Sequence, residues 1–268
     1  MTARRAAGTR RALLISDTHC GHVCGLTPPQ YQERIPAGKL RAIARRGWEW
    51  YLDYIRRNCP FDLLLFCGDG IDGRAKKSDG REIIAAPEEQ ADMLLAVIEA
   101  PRAGQIVMVE GTPYHTSEGA RWEQQAVKRL QDRGHTVEWG ERATVTINGY
   151  VVDLRHKVGG SQAPAGGDSA LRSEMVRAAE WAAEYGYPVP HAIVRGHTHR
   201  ERIVAGGGRR QARTLPAMQM WTGYGARECG GLYHWGATTL DVDSAGRATW
   251  ASELRALRSE SIVPHLSL

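Results

Sequence analysis

Residues 12–22 read Ala12-Leu13-Leu14-Ile15-Ser16-Asp17-Thr18-His19-Cys20-Gly21-His22. The stretch begins as an apolar run and ends in an Asp and a His two residues apart. A short apolar run bounded by polar residues and glycine has the form of a buried strand. Side chains at i and i+2 of an extended chain point the same way. Asp17 and His19 therefore leave the strand end with a carboxylate oxygen and an imidazole nitrogen converging on one point, as a divalent cation requires. Asp-x-His alone is common and fits a solvated strand end equally well.

The pattern recurs along the chain. Phe61–Cys67 is a second apolar run and leads into Gly68-Asp69-Gly70-Ile71-Asp72. A third, Gln105–Glu110, ends in Gly111-Thr112-Pro113-Tyr114-His115. Between them the spacing predicts helices over Lys39–Arg57 and Pro87–Ala100, the second with Pro at its first turn and Glu88 and Glu89 near its positive end. A further helix is expected from a Ser117 cap to about Arg133, then a short strand at Thr136–Trp139. Strands alternating with helices imply a parallel sheet. The pattern then changes. Ala143–Ile147 and Tyr150–Leu154 flank Asn148-Gly149, a strong hairpin signal, and the second arm ends at Arg155-His156. A glycine-rich loop (Gly159, Gly160, Gly166, Gly167) precedes a helix over about Asp168–Tyr185. His191–Arg195 is another strand, ending in Gly196-His197-Thr198-His199, and the remainder to about Ser252 reads as hairpins and edge strands.

The chain is 268 residues long, 42% apolar, with a formal net charge of +5. That is enough for one domain with a full core, and the expectation is a single domain over 1–268. Within it, 1–10 is read as a flexible N-terminus, 20–38 as an insertion loop and 256–268 as a surface tail. No apolar run approaches the roughly 18 residues of a membrane span. The basic N-terminus lacks a signal-type apolar segment, so no membrane association and a cytoplasmic location are expected. Five cysteines in a chain of this length do not form a disulfide framework. Cys20, His22 and Cys24 lack a second Cys/His pair at finger spacing, and the thiols are read as buried or half-buried. Only five of the 35 basic residues are lysine. Arginine suits bidentate contact with phosphate, and the mild excess permits a phosphate-bearing substrate without requiring one.

Four strands thus end in acid/base or metal-capable groups, namely Asp17 and His19, Asp69, His115, and His197 and His199, and the hairpin adds His156. In open α/β sheets, sites lie beyond the C-terminal strand ends. The order Asp-x-His, Gly-Asp, a Gly-led motif with His, a lone His and Gly-His-x-His resembles the calcineurin-like metallophosphoesterase superfamily over about residues 12–200. The resemblance implies an α/β fold, a four-layer α/β/β/α sandwich, and two divalent ions, manganese first, with iron, zinc or nickel as the other candidates. By position Asp17 and His199 would hold the first ion with His19 beside them. Asp69 would bridge both, His156 and His197 would hold the second, and His115 would match a general acid. One motif departs from the family pattern of Gly-Asn-His followed by Asp or Glu. Here Asn is replaced by Thr112, two residues precede the His, and the acidic partner is absent unless Glu118 serves.

The implied chemistry is hydrolysis of a phosphate ester. Two cations about 3.5–4 Å apart clamp the ester and lower the pKa of a shared water, which attacks phosphorus, while His115 protonates the departing oxygen. Mixed imidazole and carboxylate ligands suit transition metals better than calcium or magnesium. The basic balance and an Arg- and aromatic-bearing segment favour a phosphodiester, in a nucleic acid or nucleotide. The alternatives are a phosphomonoesterase, such as a nucleotidase or protein phosphatase, and a non-catalytic metal-stabilised scaffold. Arg195 and Arg200 are candidate phosphate contacts, and Tyr224, Arg227, Tyr233, His234 and Trp235 are candidate groove residues. Asp72 could hold a ligand histidine. Asp153 is expected to face solvent, Glu110 to be exposed, and His22, His135, His191 and His234 to be packing or surface residues.

Overall fold

The computed structural model describes residues 5–73, 82–84, 86–116, 121–158, 166–208, 210–220 and 233–255. The first apolar run is strand β1, Arg10–Ile15, and is followed by a short helix α1, Pro29–Gln32, and a long one, α2, Lys39–Asn58. Strand β2, Leu63–Cys67, helix α3, Pro87–Glu99, and strand β3, Gln105–Val109, complete the expected β-α repeat. A single turn α4, Pro113–Thr116, precedes α5, Arg121–Asp132, which matches the expected helix as far as it is described, and β4, Val137–Gly140, follows; the expected cap Ser117 lies outside the described residues. The hairpin is β5, Ala143–Ile147, and β6, Tyr150–Leu154. Helix α6, Gly166–Tyr185, leads to β7, Ala192–Arg195, β8, Arg202–Ala205, β9, Gln211–Thr214, β10, Trp235–Val242, and β11, Ala248–Arg255.

Two sheets result, in the orders β11-β10-β1-β2-β3-β4 and β5-β6-β7-β9-β8. The β1-β2-β3-β4 ladder is parallel, with Leu13 opposite Leu64 and Leu64 opposite Ile106. Parallel strands buried on both faces read as unbroken apolar runs, and the two-residue period sorts their side chains. Leu13, Ile15, Leu64, Phe66, Ile106 and Met108 pack with α2, α3 and α5. Ala12, Leu14, Leu65, Cys67, Val107 and Val109 pack instead against Val152, Leu154, Ala192 and Val194 of the second sheet. Outside that sheet, Ile193 and Ala212 meet Leu171, Met175 and Ala178 of α6. The layers are α/β/β/α, as the resemblance implies. No described helix is long and apolar enough to cross a membrane.

Two expectations fail for one reason. Asp153 does not face solvent and Arg195 does not reach the strand tip. Arg195 shares the parity of Ile193, which directs it under α6, where its Nη2 donates to Asp153 Oδ2 at 2.7 Å and to Glu174 Oε2 at 2.9 Å. Arg142 closes on the other oxygen of Asp153. Both Arg195 and Asp153 are buried, and the sequence could not show that α6 covers this face. The insertion 20–38 carries no sheet strand, but much of its first half and Ile35 are core. Val23, Cys24, Leu26 and Ile35 pack into the helical side, and the Cys20 N–H donates to the Gly70 carbonyl at 2.9 Å. At the N-terminus Arg5 already pairs with Asp62 at 3.0 Å, and Arg10 belongs to β1. The Trp48, Tyr51, Tyr54 and Ile55 face of α2 is core, as expected. The tail 256–268 lies outside the described residues.

Candidate metal centre

Each tip follows a strand that the sheets hold side by side. The turn after β1 runs along the turn after β2, with Asp17 N–H donating to the Gly68 carbonyl at 3.0 Å and His19 N–H to the Asp69 carbonyl at 3.1 Å. Within the second sheet the Gly196 N–H donates to the His156 carbonyl at 2.9 Å, and the two sheets meet where the His197 N–H donates to Asp17 Oδ2 at 3.1 Å. A methyl group at Gly196 would overlap Ser16 and Asp17, and one at Gly111 would overlap Asp69. Only glycine lets these backbones approach the carboxylates so closely.

Five of the six expected ligands carry positive φ: Asp17 (53°), His19 (41°), Asp69 (51°), His197 (69°) and His199 (52°). Only two other described non-glycine residues do, Arg102 and the hairpin residue Asn148. Such conformations cost on the order of 1–3 kcal/mol each, persist only where the surroundings impose them, and gather at functional sites. The left-handed kinks also break the two-residue rule by which the sequence aligned Asp17 with His19. Their side chains converge because the turn bends, not because the strand continues.

His199 Nε2 lies 3.1 Å from Asp17 Oδ1, and His19 Nε2 lies 3.2 Å from His199 Nε2. His156 Nε2 lies 2.9 Å from Asp69 Oδ2 and 3.9 Å from Asp17 Oδ1. The first contact lacks the alignment of a hydrogen bond, so His156 Nε2 is a buried nitrogen with no hydrogen-bond partner. Its other nitrogen, Nδ1, donates to the Cys67 carbonyl at 2.6 Å, so in the neutral ring, the form that binds a metal, the lone pair lies on Nε2 and faces two carboxylates. Buried lone pairs turned toward one another, with an orphaned nitrogen among them, fit a cation. Three sets have ligand atoms within 4.8 Å of one another: Asp17, His19 and His199; Asp69, His156 and His197; and His19, Asp69 and His115. All six residues expected from the motifs are in these sets, and His115 joins them.

The electrostatics have the same origin. Burial raises the Asp17 carboxyl, but His199 and His156 beside it hold it well below the usual range. Burial opposes the ionised form of Asp69 too, and His156 overcomes it. Burial, with His115 close by, lowers His19 to about 4. Burial lowers His156, but Asp69 and Asp17 more than reverse this. The Asp72 Oδ1 lies 3.3 Å from His19 Nδ1 and 3.7 Å from His115 Nδ1. The Asp72 carbonyl accepts from His115 Nδ1 at 2.9 Å. Thr112, in the place of the usual Asn, uses its N–H (2.6 Å) and its hydroxyl (3.1 Å) to hold Asp69 Oδ1.

Of the candidate groove residues, Trp235 is core, its Nε1 donating to the Met218 carbonyl at 2.9 Å. His234 Nδ1 accepts from the Glu201 N–H at 3.1 Å, while Tyr233 reaches His199. Arg200 and Glu110 are half-buried. Tyr224, Arg227 and Glu118 lie outside the described residues. His22 and His191 each accept a backbone N–H, from Cys24 and Val151, and are packing residues. His135 lies against Glu99.

Sequence reasoning missed Glu123, on α5. Fully buried, it accepts from the N–H of Gly70 at 2.6 Å and of Gly111 at 2.8 Å, and so splints two motif loops from behind. No local pattern marks it, because it lies on the inward face of an amphipathic helix with Ala126, Val127 and Leu130. Burial lifts its pKa to about 7. Between about 4.5 and 7 the native state therefore holds a proton that the unfolded state has released, and the stability owed to this group falls as pH rises through that window. In chelated protein, Glu123→Gln is expected to flatten that slope. It is also expected to lower stability by about 1–3 kcal/mol, since one buried N–H loses its acceptor. Urea unfolding at several pH values measures both, and an unaltered slope with unaltered stability would remove the splint role.

Neither a protein-family model nor a curated protein matches the sequence. Among solved structures, the following chains are similar to this one. An archaeal phosphodiesterase is 13% identical, with a TM-score of 0.45, covering 91% of this chain and 99% of its own. Vps29 from Entamoeba histolytica, complexed with zinc, is 13% identical, with a TM-score of 0.44 and coverages of 91% and 98%. A predicted phosphoesterase from Streptococcus pneumoniae is 11% identical, with a TM-score of 0.40 and coverages of 92% and 100%. At these identities the place of each side chain rests on this chain's own motifs and geometry. Their order, the two-sheet sandwich and the convergence of the motif residues at one sheet edge are consistent with a divergent calcineurin-like metallophosphoesterase.

Proposed function

We propose that the chain is a cytoplasmic, binuclear metal-dependent phosphoesterase. The observation that carries this reading is the meeting of Asp17, His19, Asp69, His156, His197 and His199 in two sets at one sheet edge. Asp17, His199 and His19 would hold one ion, and Asp69, His156 and His197 the other. Manganese is the first candidate, with iron, zinc or nickel next, since mixed nitrogen and oxygen donors suit these ions. When bound, the ions supply Lewis acidity toward the phosphate oxygens and lower the pKa of bound water.

The chain's own residues do the rest. The two buried carboxylates fix the charge of the centre, and the Cys67 carbonyl turns the His156 lone pair inward. Thr112 and Glu123 hold the loops on which those groups sit. His115, whose ring is one-fifth exposed, stands at the opening with its Nδ1 bound to the Asp72 carbonyl. Its other nitrogen gives a proton to the departing alkoxide oxygen. The closeness of His115 to His19 and Asp69 favours a second reading, in which it ligates an ion where the family pattern has Asn. The substrate is a phosphodiester of a nucleic acid or nucleotide, with a phosphomonoester as the alternative; a metal-stabilised scaffold is the rival of another class.

The decisive experiment uses chelated protein refilled with manganese, assayed on bis-p-nitrophenyl phosphate and p-nitrophenyl phosphate. Faster diester turnover is expected. Faster monoester turnover would shift the reading to a phosphomonoesterase, and two bound ions without turnover of either would favour the scaffold. Asp69→Asn is expected to abolish turnover and reduce metal content, and near-normal activity would sink the two-ion assignment. His115→Ala is expected to slow esters with poor leaving groups more than activated aryl esters. Equal losses, with a lower metal content, would make His115 a ligand.

A further inference from the structure

His156 and His199 each have a hydrogen-bond partner on the side away from the centre, and the two partners differ in kind. His156 Nδ1 donates to the Cys67 carbonyl at 2.6 Å. A carbonyl only accepts, so it fixes the proton on Nδ1 and, in the neutral ring, leaves the lone pair on Nε2. His199 Nδ1 faces the Tyr233 hydroxyl. A phenol both donates and accepts, so it does not by itself decide which nitrogen of His199 carries the proton.

Gln219 decides it. Its Oε1 accepts from the Tyr233 hydroxyl at 3.1 Å. The phenol has one proton, and once that is given to Gln219 its oxygen can only accept from His199. The proton of His199 then sits on Nδ1, and Nε2 presents its lone pair 3.1 Å from Asp17 Oδ1 and 3.2 Å from His19 Nε2. Gln219 is itself tied to the site, being 5% exposed with its N–H donating to the Asp17 carbonyl at 2.8 Å. We infer that Tyr233, ordered by Gln219, is the positioning residue that holds His199 in its Nδ1–H tautomer with Nε2 turned to the cation. The inference rests on the reading of the cluster as a cation site. It assigns a task to the segment after β9, which lies beyond the motifs that carry the family resemblance.

The test separates the two. In chelated protein at slightly alkaline pH, heteronuclear NMR on isotopically labelled histidine reads the tautomer of His199 with no cation present. The wild-type ring is expected as Nδ1–H, and in Tyr233→Phe, which keeps the ring and removes the hydroxyl, as a mixture of both forms. Calorimetric titration with Co2+ is then expected to show one of two ions weakened by roughly 10–100-fold in Tyr233→Phe, the usual effect of removing such a partner, and the other unchanged. Gln219→Met, which removes the acceptor, should reproduce both effects; Gln219→Glu, which keeps it, should keep the wild-type tautomer. A wild-type Nε2–H ring would overturn the inference, as would a tautomer and affinity unchanged in Tyr233→Phe or an equal weakening of both ions. The expected tautomers in a protein that takes up no Co2+ would overturn the cation reading instead.

Discussion

Two ionised carboxylates, Asp17 and Asp69, are buried within reach of five imidazoles, and the rest of the structure answers to that fact. Burying an unpaired carboxylate costs several kcal/mol even after relaxation. Asp17 is stabilised by the N–H of His197 and the Ser16 hydroxyl, and Asp69 by Thr112. What remains is a concentration of negative charge and nitrogen lone pairs that protons or metal cations can neutralise. The strained backbone around it is held because the two sheets and the loops between them leave those residues no other conformation.

Support for the centre comes from behind as well as from the strands. Glu123 joins the second and third motif loops from α5, while Gln219 and Tyr233 join the last motif to the first. The array of buried Asp153, Arg195 and Glu174 with the half-buried Arg142 fastens the second sheet to α6 just before Gly196. Such an array adds little net stability against an apolar alternative, but each member has few other places to go, which fixes the register of the strand that delivers His197 and His199.

Much of this was legible in the sequence. Apolar runs ending in Asp and His gave the strands, the parallel half and six of the residues that meet. Asn148-Gly149 gave the hairpin, whose residues take positive φ of 46° and 83°. Other features were not legible for particular reasons. Asp153 and Arg195 look like solvent or substrate groups in an alternating strand, and only the docking of α6 makes that face an interior. Glu123 has the spacing of any helix residue, and residues 20–28 look like a loop because their burial comes from contacts with β2 and the helices rather than from periodicity.

The sequence by itself determined which chemical groups stand at the ends of which strands, because a two-residue period and flanking glycines are local properties. It determined the parallel half as well, since doubly buried parallel strands need apolar side chains on both faces, while the four layers followed only from the resemblance of the motif order. The tertiary structure alone decided which nitrogen of each histidine looks inward and which loops are splinted. It also decided that β10 and β11 return to the first sheet while β8 and β9 join the second. These depend on contacts between residues far apart in the chain, such as His199 with Tyr233 and Gly70 with Glu123, and no local pattern encodes a partner that only folding brings near.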